Sequence, residues 1–472
     1  MPSPWRDEAV TVAVARRSAS DIWALIQHVD LVHAPFYFLA HALFGADVST
    51  TDVRWISVVA AALTAPLLAA LTCRVVAADA LLTGRDDLTP NLARLTGLTA
   101  AGLWIVTPFV SRYAQEARPY AVVALLVTAS TYALVRAASA RPGTGRGWWV
   151  VFGVSMPLVI SMNTIALLVG LAHVTWLLLV HRDRWKPAFA AATLGGLSGL
   201  PLLWLQMQQR GQVAFLQAPG PELLTGHIDF ALGSGVAVAL AAAAVLLSPL
   251  LRSRGLVLLG LFWGAVPVPL LWALSQLHPF WTTRYLVFVA PGTCLLLAAL
   301  VTLILPTRRP IHRRLARAGI AVLTVATVGI GGLHLQGVFR DPARGHGEDL
   351  RGAAEYVAEN ARPGDGILFL PDGDYRYRVV LQVYPEAFRN VRDLALAADP
   401  VSSATLVGVE TTPAAMPAAM RGVQRVWVVG GHSPFVTAGP TDEVKARLLS
   451  TQYRLVSDEE LRVFSVRLYE AR

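Results

Sequence analysis

Lysine is almost missing from this chain. Of its 40 basic residues only Lys186 and Lys445 are lysine; the rest are arginine, which we read as genome composition rather than mechanism. Cysteine is as scarce: Cys73 and Cys294 both fall in apolar runs. That argues against a disulfide between them, and there is no C-x-x-C or Cys/His metal spacing. No Gly-rich phosphate loop is present, so nothing points to a nucleotide substrate. Internal repeats and low-complexity segments are absent too. Charge of either sign is sparse, at 15% of residues against 54% hydrophobic, and mean hydropathy is +0.51. A soluble protein of this length is not so apolar, so the composition indicates an integral membrane protein. The net charge of +9 would suit nucleic acid, but the basic residues cluster between hydrophobic runs, as cytoplasmic membrane loops do. No nucleic-acid partner is expected.

What is present is a series of apolar runs. Ten are long enough, or nearly so, to cross a bilayer of roughly 30 Å: 55–77, 91–110, 118–137, 147–161, 163–181, 187–206, 231–250, 255–275, 284–305 and 316–335. The loops between them alternate in charge. One set is basic: Arg74 to Arg94, Arg136 to Arg146, 181–186 (HRDRWK), 252–254 (RSR) and 308–317 (RRPIHRRLAR). The other set is less so: 111–120 (SRYAQEARPY), Met162-Asn163, 207–230 and 275–285 (SQLHPFWTTRY). The positive-inside rule puts the first set in the cytoplasm and the second, with both termini, outside. The N-terminus would then lie outside with no span before it, so a first span is expected upstream of residue 1.

The two ends differ from the middle. Residues 1–53 read as a first outer loop with interfacial helices, 54–338 as the membrane bundle and 339–472 as a soluble domain. In the first part, Ser18 to Asp21 precedes Ile22, Trp23, Leu25 and Ile26 at helical spacing. His33 to Leu43 is too short to span and is expected to lie on the membrane with Tyr37 and His41 towards water. In the last part, EDLRGAAEYVAENA and EVKARLL read as helices. GILFLP (366–371) and RVWVVGG (425–431) read as buried strands, and RVFSVRLYE (462–470) as an alternating strand. That order predicts a small α/β domain of roughly 130 residues. The acidic DGD at 372–374 is read as a turn after a strand, since it lacks the other ligands of a calcium loop.

With so little charge in the spans, chemistry has to sit in the loops. His173 is the exception near mid-membrane, read as a packed neutral side chain. The densest ionisable loop is the N-terminal W-R-D-E-A. Asp7 and Glu8 could raise one another's pKa and supply a general base, or they could simply favour the N-terminal dipole of a helix. Asp30 and His33 could act with that pair or cap the interfacial helix. The 111–120 loop gathers Arg112, Tyr113, Gln115, Glu116, Arg118 and Tyr120, with Pro119 placed to start the next helix. Its arginines suit bidentate phosphate contact; an interfacial turn with a Glu116–Arg118 pair and belt tyrosines accounts for the same residues. His278 and Arg284 lie at the outer end of a span, where arginine can bind a ligand or snorkel to lipid phosphate.

In order, W-R-D-E-A, D-L-V-H-A-P-F-Y-F, Y-A-Q-E-A-R-P-Y and T-T-R-Y-L-V-F fall between spans. Over residues 5–340 this resembles the GT-C superfamily of polytopic glycosyltransferases, in particular bacterial protein-mannosyltransferase-like and actinobacterial mannosyltransferase-like members. The resemblance implies a mostly α membrane bundle of about ten spans with an extracytoplasmic α/β domain. It implies a polyprenyl-phosphate sugar donor, mannose first and arabinose next, and an acceptor hydroxyl on an envelope glycan, lipid or protein. It implies Asp7 as the base, Glu8 assisting, and Arg118 with Arg112 and Arg284 on the donor phosphate. Asp30, His33, Tyr113, Glu116, Tyr120 and His278 would bind substrate or support the site. His33 stands in H-A-P, where relatives carry H-P-P or a similar turn. Some relatives use a divalent metal; Asp7, Glu8, Asp30 and Glu116 could supply oxygens, although no dedicated constellation is visible. Two other classes compete: a transporter or lipid flippase, which would need polar residues on broken helices at mid-membrane, and an inactive membrane scaffold, whose outer loops would tolerate substitution.

Overall fold

The computed structural model describes residues 2–141, 144–213, 215–305, 309–342, 347–371, 375–431 and 437–472. The DGD turn expected at 372–374 lies outside these residues. The chain forms two compact units, Arg54–Gly337 and a second built from Met1–Val53 with Val338–Arg472.

In the first unit every apolar run is helical. Six helices are long and apolar enough to cross a membrane: Thr50–Thr83, Tyr120–Ala138, Arg182–Gln208, Arg254–Leu274, Thr283–Thr302 and Pro310–Gly331. Two bent pairs raise the number to eight, and the apolar helices Arg146–Met162 and Thr164–Val180 are shorter. The chain is therefore a membrane protein whose ten apolar runs include two that fall short of a full span.

Both bends have local causes. Pro90–Val106 and Pro108–Ala114 meet at 61°, where extended Thr107 precedes a proline that cannot donate to the helix ladder. Pro221–Leu232 and Gly235–Leu246 meet at 96°. Gly233, at φ +82°, ends the first helix. The Ser234 hydroxyl then accepts the Ala237 N–H at 3.2 Å and caps the second. The 207–230 stretch, expected as loop, thus contains most of a helix.

Thr283–Thr302 is the central element, 89% buried along its apolar window. Arg254–Leu274 crosses it closely. A Cβ on Gly264 would sit 2.3 Å from the Thr293 nitrogen, and one on Gly292 2.6 Å from the Gly264 nitrogen. Small residues let these backbones touch, which is how helices gain packing where lipid gives no hydrophobic drive.

The second unit holds α1 (Arg6–Ala15), α2 (Ala19–Ile26) and α3 (Ala34–Phe44). Every residue of α1 from Asp7 to Ala15 is buried. It packs against α3 and against the short helical turns Tyr375–Arg378 and Val380–Val383 of the C-terminal part. The contact is tied by hydrogen bonds from Arg16 Nη1 to the Gln382 carbonyl (2.7 Å) and Arg17 Nη2 to the Thr405 carbonyl (2.8 Å). Tyr37 does not face water as expected; it is fully buried. Protein, not solvent, covers that side of α3.

The C-terminal part is built on β1 (Asp365–Leu370), β2 (Val391–Asp393), β3 (Leu396–Ala398), β4 (Val409–Glu410), β5 (Arg425–Gly430), β6 (Tyr453–Leu461) and β7 (Phe464–Ala471). The main sheet runs β2-β1-β5-β7-β6, parallel among the first three strands and antiparallel beyond; β3 and β4 form a separate pair. Beyond their first residues, Asp365 and Arg425, β1 and β5 are apolar because both faces are covered. β7 does not alternate as expected: Phe464 to Leu468 are all buried, since it is an inner strand. The sequence reading missed β6, a polar edge strand rich in charge.

Candidate active site

At the head of α1, Asp7 and Glu8 are both buried, at 4% and 1% exposure. Glu8 sits at the third helical position and accepts the Trp5 backbone N–H at 3.4 Å. That is the reaching-back half of a capping box and gives Glu8 a helix-starting task. Asp7 points elsewhere: Arg6 Nε stands 3.7 Å from its Oδ1. Arg6 is itself gripped by Glu348, through its backbone N–H at 2.7 Å and its Nη1 at 2.6 Å. The two acids, indistinguishable in sequence, differ in geometry.

Asp30 has φ +63°, a left-handed conformation that aspartate tolerates better than most residues. Its carboxylate accepts the Tyr37 hydroxyl at 2.5 Å. The His33 ring lies 6.1 Å from that of Tyr37, so Asp30, His33 and Tyr37 form one group. Arg17, unremarked in the sequence, is nearly as buried as the acids. Burial pushes its guanidinium pKa down, opposed by Tyr37, Asp21 and Asp399.

In the membrane unit the 111–120 loop is compact. Tyr113, Glu116, Arg118 and Tyr120 are all buried. Arg112 Nε lies 3.7 Å from Glu116 Oε1, an ion pair one helical turn apart. The Ser57 hydroxyl donates to the Arg118 carbonyl at 3.0 Å, pinning the turn to the Thr50–Thr83 helix. Arg112, Glu116, Tyr120 and Arg284 all lie near enough to act electrostatically on the Tyr113 hydroxyl. The structure therefore brings Arg284, distant in sequence, to this loop. His278 is not brought in; it is exposed in the turn after Leu274. His173 is a packed core histidine, its Nε2 2.9 Å from Thr131 Oγ1 and its ring against Phe152.

Aromatic rings continue inward from the loop. Tyr120 stacks edge-on with Tyr113 (5.4 Å), Tyr113 with Phe109 (5.0 Å), Phe109 with His227 (5.5 Å) and His227 with Trp281 (5.8 Å). Phe109 and His227 also line an apolar cavity of about 320 Å³, with Leu232, Val268, Ala290 and Leu297. It lies between the two bent helix pairs and the central helix. A lining of this character suits an apolar occupant. Residues missed in sequence are His227, which lay in an assumed loop, and Arg54, fully buried at the head of Thr50–Thr83. The signal for Arg54 was a lone arginine beside an apolar run.

Among the described residues, no three His, Cys, Asp or Glu side chains group so as to hold a metal. Asp30 is engaged by Tyr37.

Two crystal structures of ArnT from Cupriavidus metallidurans are similar to this chain. The one bound to undecaprenyl phosphate is 15% identical, with a TM-score of 0.55, over 98% of this chain and 93% of that one. The apo structure is 14% identical, with a TM-score of 0.58, over 99% and 94%. The chain shares the fold of these structures, a helical membrane bundle with a small C-terminal sheet domain. No family model and none of the curated proteins matches the sequence.

Proposed function

We propose that this protein is a membrane glycosyltransferase that moves a sugar from a polyprenyl-phosphate donor to an acceptor hydroxyl. The observation that carries the reading is the path in the membrane unit. Arginines stand at one end, a buried aromatic wall follows, and a partly open apolar cavity completes it. A long apolar chain ending in a phosphate has that polarity. The shared fold supports the reading, and so does the undecaprenyl phosphate bound in one ArnT structure.

In the proposed reaction the acceptor hydroxyl attacks the anomeric carbon while the bond from that carbon to the phosphate oxygen breaks. Asp7 takes the hydroxyl proton. The donor phosphodiester leaves as a phosphate monoester with one more negative charge. Arg118, Arg112 and Arg284 stabilise that charge, which fixed cations do best in a water-poor site. Glu8 shapes the start of α1 so that Asp7 is held in place. Asp30, His33 and Tyr37 support the same segment.

Mannose is the first candidate sugar and arabinose the next; the acceptor class is an envelope glycan, lipid or protein. On the charge alternation of the loops, the reaction takes place on the outer face of the cell membrane, where the C-terminal domain also lies. The test is a donor panel. Purified protein in lipid is given polyprenyl-phosphate mannose or polyprenyl-phosphate arabinose with an envelope glycolipid extract. Transfer from one donor supports the reading. Turnover of nucleotide sugars alone would overturn it.

A further inference from the structure

A second lipid-facing feature lies apart from the cavity described above. Helices Arg146–Met162 and Trp185–Gln208 run side by side in the same direction, Gly153 meeting Gly195 and Ile160 meeting Gly199. A Cβ on Gly195 would stand 2.1 Å from the Gly153 carbonyl oxygen, so the backbones touch. Beside that crossing runs a groove of about 520 Å³ lined by Trp149, Val150, Val154, Pro157 and Leu194. Val150, Val154 and Leu194 are each more than half exposed. The Arg182–Gln208 helix is only 17% buried along its apolar window, so most of its surface must be covered by something outside the described chain.

One end of the groove is charged. Arg146 lines it and is exposed. Pro187 lines the same end, directly after Lys186, whose Nζ sits 5.9 Å from the ring of Trp185. Lys186 is exposed and adjoins that end in sequence without lining the groove, with an interfacial tryptophan beside it. An apolar slot capped by cations matches an anionic amphiphile. A second copy of the chain fits less well. A twofold pairing through this groove would set Arg146 and Lys186 against their own copies, like charge against like.

We propose that this groove is a binding site for an anionic phospholipid, its phosphate on Arg146 and Lys186 and one acyl chain along the slot. The proposal does not rest on the sugar-transfer reaction. The probes are phosphatidylglycerol and phosphatidylcholine of equal chain length, titrated into delipidated protein and read as bound adducts by native mass spectrometry. The expected result is half-saturation by phosphatidylglycerol at a concentration about tenfold lower than by phosphatidylcholine, the size of one charge-assisted contact. The double variant Arg146→Glu, Lys186→Glu should lose that preference. Ala190→Phe, which fills the slot at an exposed position, should weaken both lipids. Equal binding of the two lipids by the unaltered protein would overturn the proposal, and so would a dimer mass without retained lipid. That comparison decides the matter even if a variant fails to fold.

Discussion

Asp7 and Glu8 stand next to each other, are both buried and have the same chemistry, yet their surroundings assign them different work. Glu8 spends a carboxylate oxygen on the Trp5 N–H, while Asp7 faces Arg6, which Glu348 holds. Glu8→Gln keeps an acceptor for that N–H, so transfer should persist at a reduced rate. Loss of all activity in this variant, with the protein folded, would move the base to Glu8. Arg118 sits in a turn fixed by Ser57, so its guanidinium can be removed without removing the turn. Arg118→Ala should raise the donor KM by about ten- to a hundredfold, the worth of a hydrogen bond to a charged group, with little change in melting temperature. A matching loss in stability and an unchanged donor KM would make Arg118 structural. Parts of this were legible in the residues. Y-A-Q-E-A-R-P-Y reads as a polar loop because it interrupts apolar runs, and Pro119 marks the next helix. That Arg284 joins it was not legible, because only the fold brings the two stretches together.

Among the elements, two contacts carry most of the risk. The crossing of Arg254–Leu274 with Thr283–Thr302 leaves no room for a side chain at Gly264. Gly264→Leu should therefore cost more than the about 1–3 kcal/mol of ordinary overpacking, because the obstacle is backbone. Thermal unfolding in detergent should show a large loss; an unchanged transition would mean the helices do not touch there. In the sheet unit, Lys445 is wholly buried and binds Glu410 (2.5 Å), Asp442 (3.3 Å) and the Phe369 carbonyl (3.1 Å). Arg378 shares Glu410 and also binds Asp393. Lys445→Met would take a cation from Asp442 and leave Glu410 to Arg378, and should cost about 3–5 kcal/mol, seen as a lower melting temperature of the full chain. A change under about 1 kcal/mol, the scale of an exposed pair, would contradict that. Element type was easy to read where apolarity was continuous, as in β1, β5 and the long spans. It failed where tertiary context decided: β6 is polar because it is an edge, and the Gly233–Ser234 break hides inside an apolar run.

For the whole molecule, the alternation of basic and less basic loops gives the proposed orientation, which is open to cysteine labelling at the exposed positions Thr144 and Ser402 in intact cells. Ser402, in the C-terminal domain, should react from outside, and Thr144, between two spans on the basic side, should not. The reverse pattern would invert the molecule. The architecture was readable as a membrane bundle with an α/β domain. That α1 is buried between α3 and the turns at 375–383 was not, since a uniformly apolar ten-residue helix says nothing about what covers it. The most direct measurement is transfer of labelled sugar from polyprenyl-phosphate mannose and, separately, polyprenyl-phosphate arabinose, by the unaltered protein and by Asp7→Asn. The account predicts label in the acceptor pool from one donor, abolished by Asp7→Asn while the variant stays folded. Undiminished transfer by Asp7→Asn would contradict the assignment of the base, and transfer from neither donor by folded protein would contradict the proposed substrates.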